Sequence, residues 1–412
     1  MRVADVSRPV LPGPARARDP SAKIARDPAA RGSDDRAIAL LSLVADGFGG
    51  LESHVLELAR QLHESGRRPV VVVAPGSKLH EAARDLHLPC HPVRWMPWVR
   101  GQPVRNVLLA RTLVRLAGPA GLAAIHCNNR FEVGGALRAA RRLQCPCVLN
   151  YHVPGPFDTG ILKGLTAFVA PNAGIVSFVA QENEARDLGL AAVEQIPPLV
   201  DTTRLRAFDD QRPSRQWFAD NLGLSLHDGP VVCMIGNMVP DLLHKNYPLL
   251  FQALHRLRHQ EGLPVQAILV GDGPARPHLE ALAGQLGLTA DVHFLGFRSP
   301  EVPGIIAKSD LLVLASSREA FGMVLVEAAL MRKAAVAARR TGAESIIVDR
   351  ETGLLFDNGD EASLARAIST LLRDPHWAAS LAARAYERAT ALYTPEVVLR
   401  RYLQLYGLAQ PC

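Results

Sequence analysis

Short apolar runs alternate with amphipathic stretches along most of the chain, beginning near residue 37. A turn rich in Gly, Asp or Asn follows each apolar run, and the amphipathic stretches have the spacing of helices. The apolar runs are interrupted by a polar gap at residues 201–228. The predicted strands are 38–45, 69–74, 123–126, 145–151, 167–171 and 193–197 before the gap, and 230–235, 265–270, 292–295, 310–315, 334–337 and 353–356 after it.

This pattern predicts an α/β protein with two Rossmann-like domains that face each other, each built on a parallel sheet. Continuous apolar strands between helices are typical of parallel sheets covered on both faces. Residues 1–36 are rich in Arg, Pro, Ala and Asp and have no hydrophobic period, which predicts a disordered tail. We place the N-terminal domain at residues 37–212, the C-terminal domain at 213–393 and a last helical segment at 394–412.

The composition fits a globular protein and disfavours several other classes. The 412 residues suffice for two domains with a core each, and 48% of them are apolar. A net charge of +6 suits phosphate binding, but no basic stripe with interleaved aromatics supports nucleic-acid binding. The chain has no run of about 18 apolar residues and no apolar signal core, so we expect a cytoplasmic protein. The six cysteines have neither disulfide nor metal-site spacing.

Glycine-rich and polar residues follow the predicted strands in both domains. In open parallel sheets, ligands bind at the carboxyl ends of the strands, so these residues are the candidates for a binding site. The candidates are Gly49, Gly50 and His152 in the N-terminal domain, and Gly236, Asn237, Lys245, Gly271, Gly273 and residues 316–322 in the C-terminal domain.

Each of these features alone also has an ordinary structural explanation. The Gly49-Gly50 pair indicates either a turn that needs a positive φ or amides that approach a phosphate, and we favour the turn. The same alternatives hold for Gly271 and Gly273. His152 is explained equally well as a hydrogen-bonded structural residue and as part of a site. Lys245 is either a solvated cation or a point charge that neutralises a diphosphate.

Glu319 and Glu327 form the most specific pattern in the sequence. On one continuous helix, their spacing would turn the second carboxylate about 80° away from the first. A helix that begins near Gly322 or Met323 instead places Glu319 in the preceding loop and Glu327 about one turn inside the helix. The free N–H groups of residues 323–325 then point at any anion between the two carboxylates. The alternative is a pair of solvated carboxylates near a helix start.

The segment SSREAFGMVLVEA, residues 316–328, resembles the glutamate, seven residues, glutamate motif of the retaining glycosyltransferases of family four, which have the GT-B fold. Further segments resemble that family in the same order, and the likeness extends from about residue 38 to the C-terminus. These segments are residues 49–55, 151–152, 196–201, 270–274, 294–297 and 352–356.

The resemblance implies that the C-terminal domain binds a nucleotide-sugar donor and that the N-terminal domain binds the acceptor. It also implies that the last helical segment, 394–412, crosses back onto the N-terminal domain. The implied catalytic residues are His152 beside the transferred sugar, Glu319, which positions that sugar, and Lys245, which neutralises the diphosphate. Glu327 is implied to hold the ribose. The family needs no metal and no cofactor, because basic residues and a helix N-terminus stabilise the developing charge. The implied donor-binding residues are Gly49, Gly50, Gly236, Asn237, Gly271, Gly273, Phe297, Phe321, Gly322, Met323, Val324, Leu325 and Glu327.

The chain departs from the family pattern near the implied diphosphate site. The family has arginine where this chain has Asn237, which removes one expected phosphate ligand. Later elements also differ, since Arg332-Lys333-Ala334 replaces Gly-x-Pro and Thr341-Gly342 replaces a pair of glycines. Candidate replacements for the missing ligand are Arg332, Arg339 and Arg340.

Two functions follow as alternatives. The favoured one is a retaining, metal-independent transferase that moves a sugar from a nucleotide-diphospho-sugar, a UDP-sugar before others, to an unidentified acceptor. That acceptor is a glycan, a lipid-linked molecule or a small molecule. The other is a non-catalytic GT-B-like subunit that binds a nucleotide. A sugar-nucleotide epimerase on the same scaffold is disfavoured by the Glu319 to Glu327 spacing.

Residues 91–115 raise a separate question of membrane contact. Trp95 and Trp98 precede a helix-like stretch that carries Arg105, Arg111 and Arg115, a combination that suits an anionic lipid surface. We favour an acceptor-side loop followed by an ordinary helix with a solvated face. Weak peripheral contact with the inner face of the membrane is the alternative.

Overall fold

The computed structural model describes residues 35–43, 49–94, 102–152, 159–171, 173–205, 208, 212–298 and 300–408. The predicted disordered tail lies outside these residues except for its last two positions. Trp95 and Trp98, on which the membrane hypothesis partly depends, also lie outside the described residues.

The first part of the chain alternates strands and helices and builds one sheet. Its elements are β1 (Ala37–Ser42), α1 (Gly50–Glu64), β2 (Arg68–Val73), α2 (Lys78–Asp85), β3 (Cys90–Pro92), α3 (Gln102–Ala117), β4 (Leu122–Cys127), α4 (Val133–Leu143), β5 (Cys147–Asn150), β6 (Ala167–Ala170), α5 (Ala173–Arg186) and β7 (Ala192–Gln195).

The second part repeats the alternation and ends in three helices. Its elements are α6 (Thr202–Leu205), α7 (Arg215–Leu222), β8 (Val231–Ile235), α8 (Leu242–Lys245), α9 (Tyr247–Glu261), β9 (Gln266–Val270), α10 (Arg276–Gln285), β10 (Val292–Phe294), α11 (Val302–Lys308), β11 (Leu311–Leu314), α12 (Met323–Leu330), β12 (Ala335–Ala338), β13 (Leu354–Phe356), α13 (Glu361–Arg373), α14 (Pro375–Leu392) and α15 (Pro395–Leu405).

The strands form two parallel sheets, which confirms the predicted fold class. The first sheet has the order β3-β2-β1-β4-β5-β6-β7 and the second has the order β10-β9-β8-β11-β12-β13. Neighbouring strands run parallel throughout both sheets. All predicted strands are present, and β3 is an additional one. Its three residues, Cys90, His91 and Pro92, are partly exposed at the sheet edge, so they lack the apolar run that marks the inner strands.

Burial explains the continuous apolar runs. All four residues of β11 are buried, and only the last residue of β8 is partly exposed, because helices cover both faces of the second sheet. Helix α15 packs against the first sheet rather than the second. Its Val398 and Tyr402 are fully buried in one cluster with Ile38 and Leu40 of β1. The chain thus crosses between the sheets twice, once after β7 and once before α15.

The predictions on membrane-spanning helices and on cysteines can be compared with the described residues. No helix in the described part of the chain is long and apolar enough to cross a membrane. Cys90, Cys127, Cys145, Cys147 and Cys233 are free thiols, and three of them are buried. The hydrogen bond with Cys147 and burial raise the pKa of Cys127, which fits a structural rather than a reactive thiol.

Candidate functional site

The candidate residues follow the strands where the order of each sheet reverses. The first sheet reverses between β1 and β4, and the second between β8 and β11. Ligands of open α/β sheets bind in the crevice at this position, beyond the carboxyl ends of the strands. Gly49 and Gly50 follow β1, Gly236 follows β8 and Glu319 follows β11. The fold therefore places all four of these residues at switch points.

Helices α1 and α12, from the two parts of the chain, begin next to each other. A Cβ atom on Gly50 would lie 3.0 Å from the Sδ atom of Met323, the first residue of α12. Gly49 has a φ of −149°, and neither Gly49 nor Gly50 has a positive φ. The favoured explanation of this pair, a turn that needs a positive φ, was therefore wrong. Close approach of the two helix starts is what limits the side chain at Gly50.

These two helices start without a capping side chain. Elsewhere, Ser77 caps α2 and Asp360 caps α13 by accepting a hydrogen bond from a backbone N–H. Gly322, at a φ of +99°, precedes α12, and Gly49 precedes α1, and neither glycine has a side chain to accept such a bond. The start of α12 therefore presents backbone N–H groups and the positive end of a helix dipole to the crevice. At the start of α1 the N–H of Gly49 already donates to the Glu52 carboxylate at 2.9 Å.

The structure confirms that α12 begins at Met323, so Glu319 lies in the loop before it and Glu327 one turn inside. One detail of the prediction was wrong. The N–H of Leu325 donates to the carbonyl of Gly322 at 2.9 Å, and the Leu325 side chain is buried in the core. Leu325 is therefore unsuited to bind a donor, which leaves Met323 and Val324 as the candidate N–H donors of this turn. The Phe321 side chain is also buried, against Tyr393, so only its backbone can face the crevice.

Lys245 and Glu319 form an ion pair in the crevice. The Lys245 Nζ atom lies 2.8 Å from Glu319 Oε2, and both side chains are largely shielded from solvent. Burial opposes the charge on Glu319, but Lys245 outweighs it and holds the pKa of Glu319 below its ordinary value. Glu319 is further fixed by its carbonyl, which accepts a hydrogen bond from the N–H of Gly342 at 2.8 Å. Lys245 is thus not a merely solvated cation.

Three glycines hold the loop that leads to Lys245. Gly271 and Gly273 have φ values of +134° and +151°, and a Cβ on either would overlap the backbone of Gly236 or Met238. A Cβ on Gly236 would lie 2.9 Å from the Lys245 side chain. The structural explanation thus accounts for Gly271 and Gly273, whose tight turns bring the Gly236 loop beside Lys245.

Asn237 and Phe297 lie where the two parts of the chain approach each other. The Asn237 Nδ2 atom would be 3.9 Å from a Cβ on Gly49. Phe297 is 58% exposed, and the Lys78 ammonium of α2 lies 5.8 Å from its ring centre. An exposed aromatic ring at a cleft is a platform on which a nucleotide base can stack. Both residues therefore border the crevice, which is compatible with their predicted roles in donor binding.

Glu327 is paired with a residue that was not predicted. Its buried carboxylate forms an ion pair with Arg204 of α6, in the crossover that follows β7. Burial raises the pKa of Glu327 above its ordinary value, although Arg204 opposes that shift. No sequence signal marked Arg204, because the two residues are 123 positions apart.

His152 lies beside a buried cluster of polar residues. Its ring centre is 5.2 Å from that of His54, a fully buried residue of α1. Burial lowers the pKa of His152 to about 4, so the imidazole is neutral near pH 7. Its Nε2 atom is buried and makes no hydrogen bond to any residue that the structure describes. A neutral imidazole can hydrogen-bond to a sugar hydroxyl, and for His152 this contact requires that the buried Nε2 atom be uncovered.

His54 connects several elements below this site. Its Nδ1 atom accepts a hydrogen bond from the N–H of Leu199 at 2.9 Å, so the neutral ring carries its proton on Nε2. Nε2 lies 3.0 Å from the side-chain amide of Asn150, which also contacts the Tyr402 hydroxyl at 2.8 Å. Asn150 must therefore turn its oxygen toward His54. The polar residues at this strand end therefore have a structural role, because Asn150 links the end of β5 to Tyr402 of α15.

Two of the candidate replacements for the arginine missing at Asn237 are engaged elsewhere. Arg332 stacks on the ring of Tyr386 at 3.7 Å, and Arg339 pairs with Asp349. This weakens the hypothesis that either of them binds the diphosphate. Arg340, at a φ of +57°, follows the strand end of β12 and stays a candidate.

Family models match both parts of the chain. The model described as Glycosyl transferases group 1 matches residues 221–390, which include β8 to α13. The model described as Glycosyltransferase Family 4 matches residues 48–204, which include α1 to β7. Residues 205–220, which follow the crossover after β7, separate the two matches.

Individual curated proteins that are named as glycosyltransferases also align with this chain. A lipopolysaccharide core biosynthesis glycosyltransferase, LpsE, of Rhizobium meliloti is 33% identical over 178 residues, 43% of this chain and 50% of that protein. A GDP-mannose-dependent alpha-(1-6)-phosphatidylinositol monomannoside mannosyltransferase of Mycolicibacterium smegmatis is 30% identical over 226 residues, 52% of this chain and 56% of that protein. The alignments thus span about half the length of these curated relatives.

A solved structure shares the fold over almost the whole chain. The Anabaena protein HepE, crystallised in complex with UDP and glucose, superposes with a TM-score of 0.72 at 22% identity. The superposition covers 90% of this chain and 99% of that protein.

Proposed function

Because the chain belongs to the glycosyl transferases of group 1 and has their GT-B fold, we propose that it transfers a sugar from a nucleotide-diphospho-sugar to an acceptor. The proposed transfer retains the configuration at the anomeric carbon and needs no metal ion. UDP is the first candidate for the nucleotide, since the HepE structure holds UDP and glucose. The mannosyltransferase relative is named for GDP-mannose, so GDP is the second.

The observation that carries this proposal is the Lys245–Glu319 ion pair beside the start of α12. A lysine ammonium has three N–H groups, so Lys245 can keep Glu319 and still donate to a diphosphate. The N–H groups at the start of α12 add further donors for the same anion. Glu319, held ionised by Lys245, accepts hydrogen bonds from hydroxyls of the donor sugar. Charge and hydrogen-bonding groups for both halves of a nucleotide-sugar thus lie at one switch point.

In the proposed reaction, the bond between the anomeric carbon and the diphosphate oxygen breaks and the nucleoside diphosphate leaves with the electron pair. An acceptor hydroxyl forms the new bond to the anomeric carbon on the face from which the diphosphate leaves, and its proton passes to an oxygen of the departing diphosphate. Lys245 and the α12 N–H groups stabilise the charge that develops on the leaving diphosphate. His152, as a neutral imidazole, contacts the transferred sugar from the side of the first sheet.

A non-catalytic, nucleotide-binding subunit is the second candidate, and Asn237 is the observation that favours it. An amide in place of an arginine removes a full positive charge from the implied diphosphate site. The ion pairs of Lys245 and Glu327 account for binding of a nucleotide-sugar but do not require turnover.

Purified protein distinguishes the two candidates. Thermal unfolding with UDP-, GDP- and ADP-sugars identifies the donor, because a ligand that binds the folded state raises the melting temperature. We expect hydrolysis or transfer from that donor in the presence of a metal chelator, and NMR of the product should show the retained anomeric configuration. Binding without turnover across a panel of glycan, lipid-linked and small-molecule acceptors would support the second candidate instead.

The place of action is proposed to be the cytoplasm, and weak peripheral contact with the inner face of the membrane is the alternative to an ordinary solvated α3. Helix α3 contains three arginines and no acidic residue, and Val104 and Leu108 on its surface are 65% and 56% exposed. Exposed apolar side chains next to arginines suit an anionic lipid surface. Flotation with vesicles containing anionic lipid should recover the wild type, and Leu108→Asp should reduce the recovery. No recovery of the wild type would leave α3 as an ordinary solvated helix.

A further inference from the structure

The crossover after β7 makes hydrogen bonds and ion pairs with both helices that begin at the crevice, α1 and α12. We call residues 199–204 the crossover strap. On the side of α1, the Leu199 N–H donates to His54, and Asp201 lies 3.6 Å from the guanidinium of Arg60. On the side of α12, Arg204 pairs with Glu327. A single short strap thus contacts the two helices whose first residues meet at the crevice.

Arg204 is the residue of the strap that reaches the donor side. It pairs with Oε1 of Glu327, one of the two oxygens of a buried carboxylate. A carboxylate in this setting needs a charged partner, because burial alone disfavours its ionised form. The direction of an arginine–carboxylate contact is fixed by the planar guanidinium, which therefore sets how the carboxylate is turned.

We propose that Arg204 is a positioning residue for the recognition of the donor ribose. It acts through Glu327, whose carboxylate it turns to accept hydrogen bonds from the ribose hydroxyls of the bound nucleotide. Because Arg204 belongs to the strap, an occupied ribose site also fixes the crossover between the two sheets. This inference rests on the proposed function, and in particular on Glu327 as the ribose ligand.

A purely structural ion pair is the competing explanation, and it predicts a different result. If Arg204 only stabilises the fold, its loss lowers the melting temperature and weakens the binding of all nucleotides equally. If it orients Glu327, its loss weakens the ribose contact selectively. The ratio of the affinities for UDP and for 2′-deoxy-UDP separates the two, since these ligands differ by one ribose hydroxyl.

The experiment is calorimetric titration of both nucleotides into the wild type, Arg204→Met and Arg204→Lys. Because 2′-deoxy-UDP lacks one hydrogen bond to a charged acceptor, the wild type should bind it roughly 10- to 100-fold less tightly than UDP. In Arg204→Met the ratio should fall below about threefold, and Arg204→Lys should restore part of it. Arg186→Met is the matched control, because Arg186 pairs with Glu182 on α5, away from the strap. It should keep the wild-type ratio.

The outcomes separate the inference from the function on which it rests. A folded Arg204→Met that keeps the wild-type ratio overturns the inference and leaves the proposed function intact. The inference is supported equally if the wild type discriminates against 3′-deoxy-UDP rather than 2′-deoxy-UDP and Arg204→Met loses that discrimination. Wild-type protein that binds no nucleoside diphosphate, with GDP and ADP tested as well, overturns the proposed function and the inference with it. Should Arg204→Met not fold, Arg204→Leu, which likewise removes the guanidinium, carries the same prediction.

Discussion

The two sides of the crevice are built from different chemistry. On the side of the first sheet, His54, His126 and His152 lie close together, and burial lowers the pKa of each of them. On the side of the second sheet, the Lys245–Glu319 and Arg204–Glu327 ion pairs hold charges in place. One side therefore offers neutral hydrogen-bonding groups and the other offers fixed charges.

This difference suggests a division of labour within one site. A diphosphate carries charge throughout the reaction, so its contacts belong on the side that has a cation and helix N–H groups. A transferred sugar and an acceptor are neutral in the ground state, and the imidazole of His152 is proposed to contact the sugar without a charge to desolvate. His54 and His126 are fully buried and support this side of the crevice from below. Substitutions on the two sides should accordingly affect different steps.

The largest effect should come from the charged side. Glu319→Gln keeps the size of the side chain but removes the charge that Lys245 balances. We expect turnover to fall roughly 100- to 1,000-fold, the range for loss of a group that stabilises a transition state directly. Steady-state rates with the identified donor measure this effect. Glu351→Gln, an exposed glutamate after β12, is the control and should keep the wild-type rate. A fully active Glu319→Gln protein would contradict the assignment of Glu319 to the site.

The neutral side should determine how stability depends on pH. The pKa of His126 is lowered to about 3 by burial, whereas the unfolded chain takes up this proton near pH 6.5. The unfolded state thus binds more protons as the pH falls, so stability is lost below about pH 6.5. His126→Asn keeps a partner for the Tyr406 hydroxyl, which lies 2.6 Å from Nδ1, but does not titrate.

We therefore expect the stability advantage of the wild type over His126→Asn to shrink by roughly 2 to 3 kcal/mol between pH 6.5 and pH 4.5. Urea unfolding at the two pH values measures the difference. His63→Asn, on an exposed part of α1, is the matched control and should follow the pH dependence of the wild type. An advantage that stays constant would show that His126 contributes nothing to the pH dependence.

A smaller effect should follow from His152→Ala. The contact proposed to be lost is a hydrogen bond from a neutral group to the transferred sugar, so we expect kcat to fall about two- to twelvefold. The dissociation constant for UDP should stay within about twofold of the wild type, because the nucleotide is held on the other side. Lys245→Ala is the counterpart on the charged side, and it should weaken the binding of UDP as well as slow turnover. Equal effects of the two variants on UDP binding would contradict the division between the sides.

Much of the fold and part of the site follow from local sequence patterns. The strands of both sheets are marked by apolar runs, and the start of α12 is marked by Gly322 between the two glutamates. Periodicity depends on near neighbours, so it succeeds wherever burial is continuous. The edge strand β3 was missed because two of its three residues, His91 and Pro92, are not apolar.

The return of the last helix to the first sheet was implied by the family resemblance, but the individual contacts made where the chain crosses between the sheets could not be predicted. Arg204 meets Glu327 only because the strap passes α12, and His54 meets Tyr402 only because α15 returns to the first sheet. The reason for Gly50 likewise lies in Met323, 273 positions later in the numbering of the chain. Such contacts are long-range, and no local spacing encodes them.

The smallest effect should come from Asn237, which borders both sides of the crevice. Asn237 is exposed, and its amide faces Gly49 across the gap. Asn237→Arg adds a cation next to the implied diphosphate, but an exposed charge pair contributes only about 0.2 to 1 kcal/mol. We therefore expect UDP to bind about two- to fivefold more tightly, and the gain should disappear at high salt because exposed charges are screened. Titration calorimetry at two salt concentrations measures both effects, with Asn221→Arg on the exposed face of α7 as the control for added charge. An equal gain from Asn221→Arg would mean that net charge, rather than position 237, attracts the nucleotide. A gain confined to Asn237→Arg would place the diphosphate beside residue 237, between the charged and the neutral side.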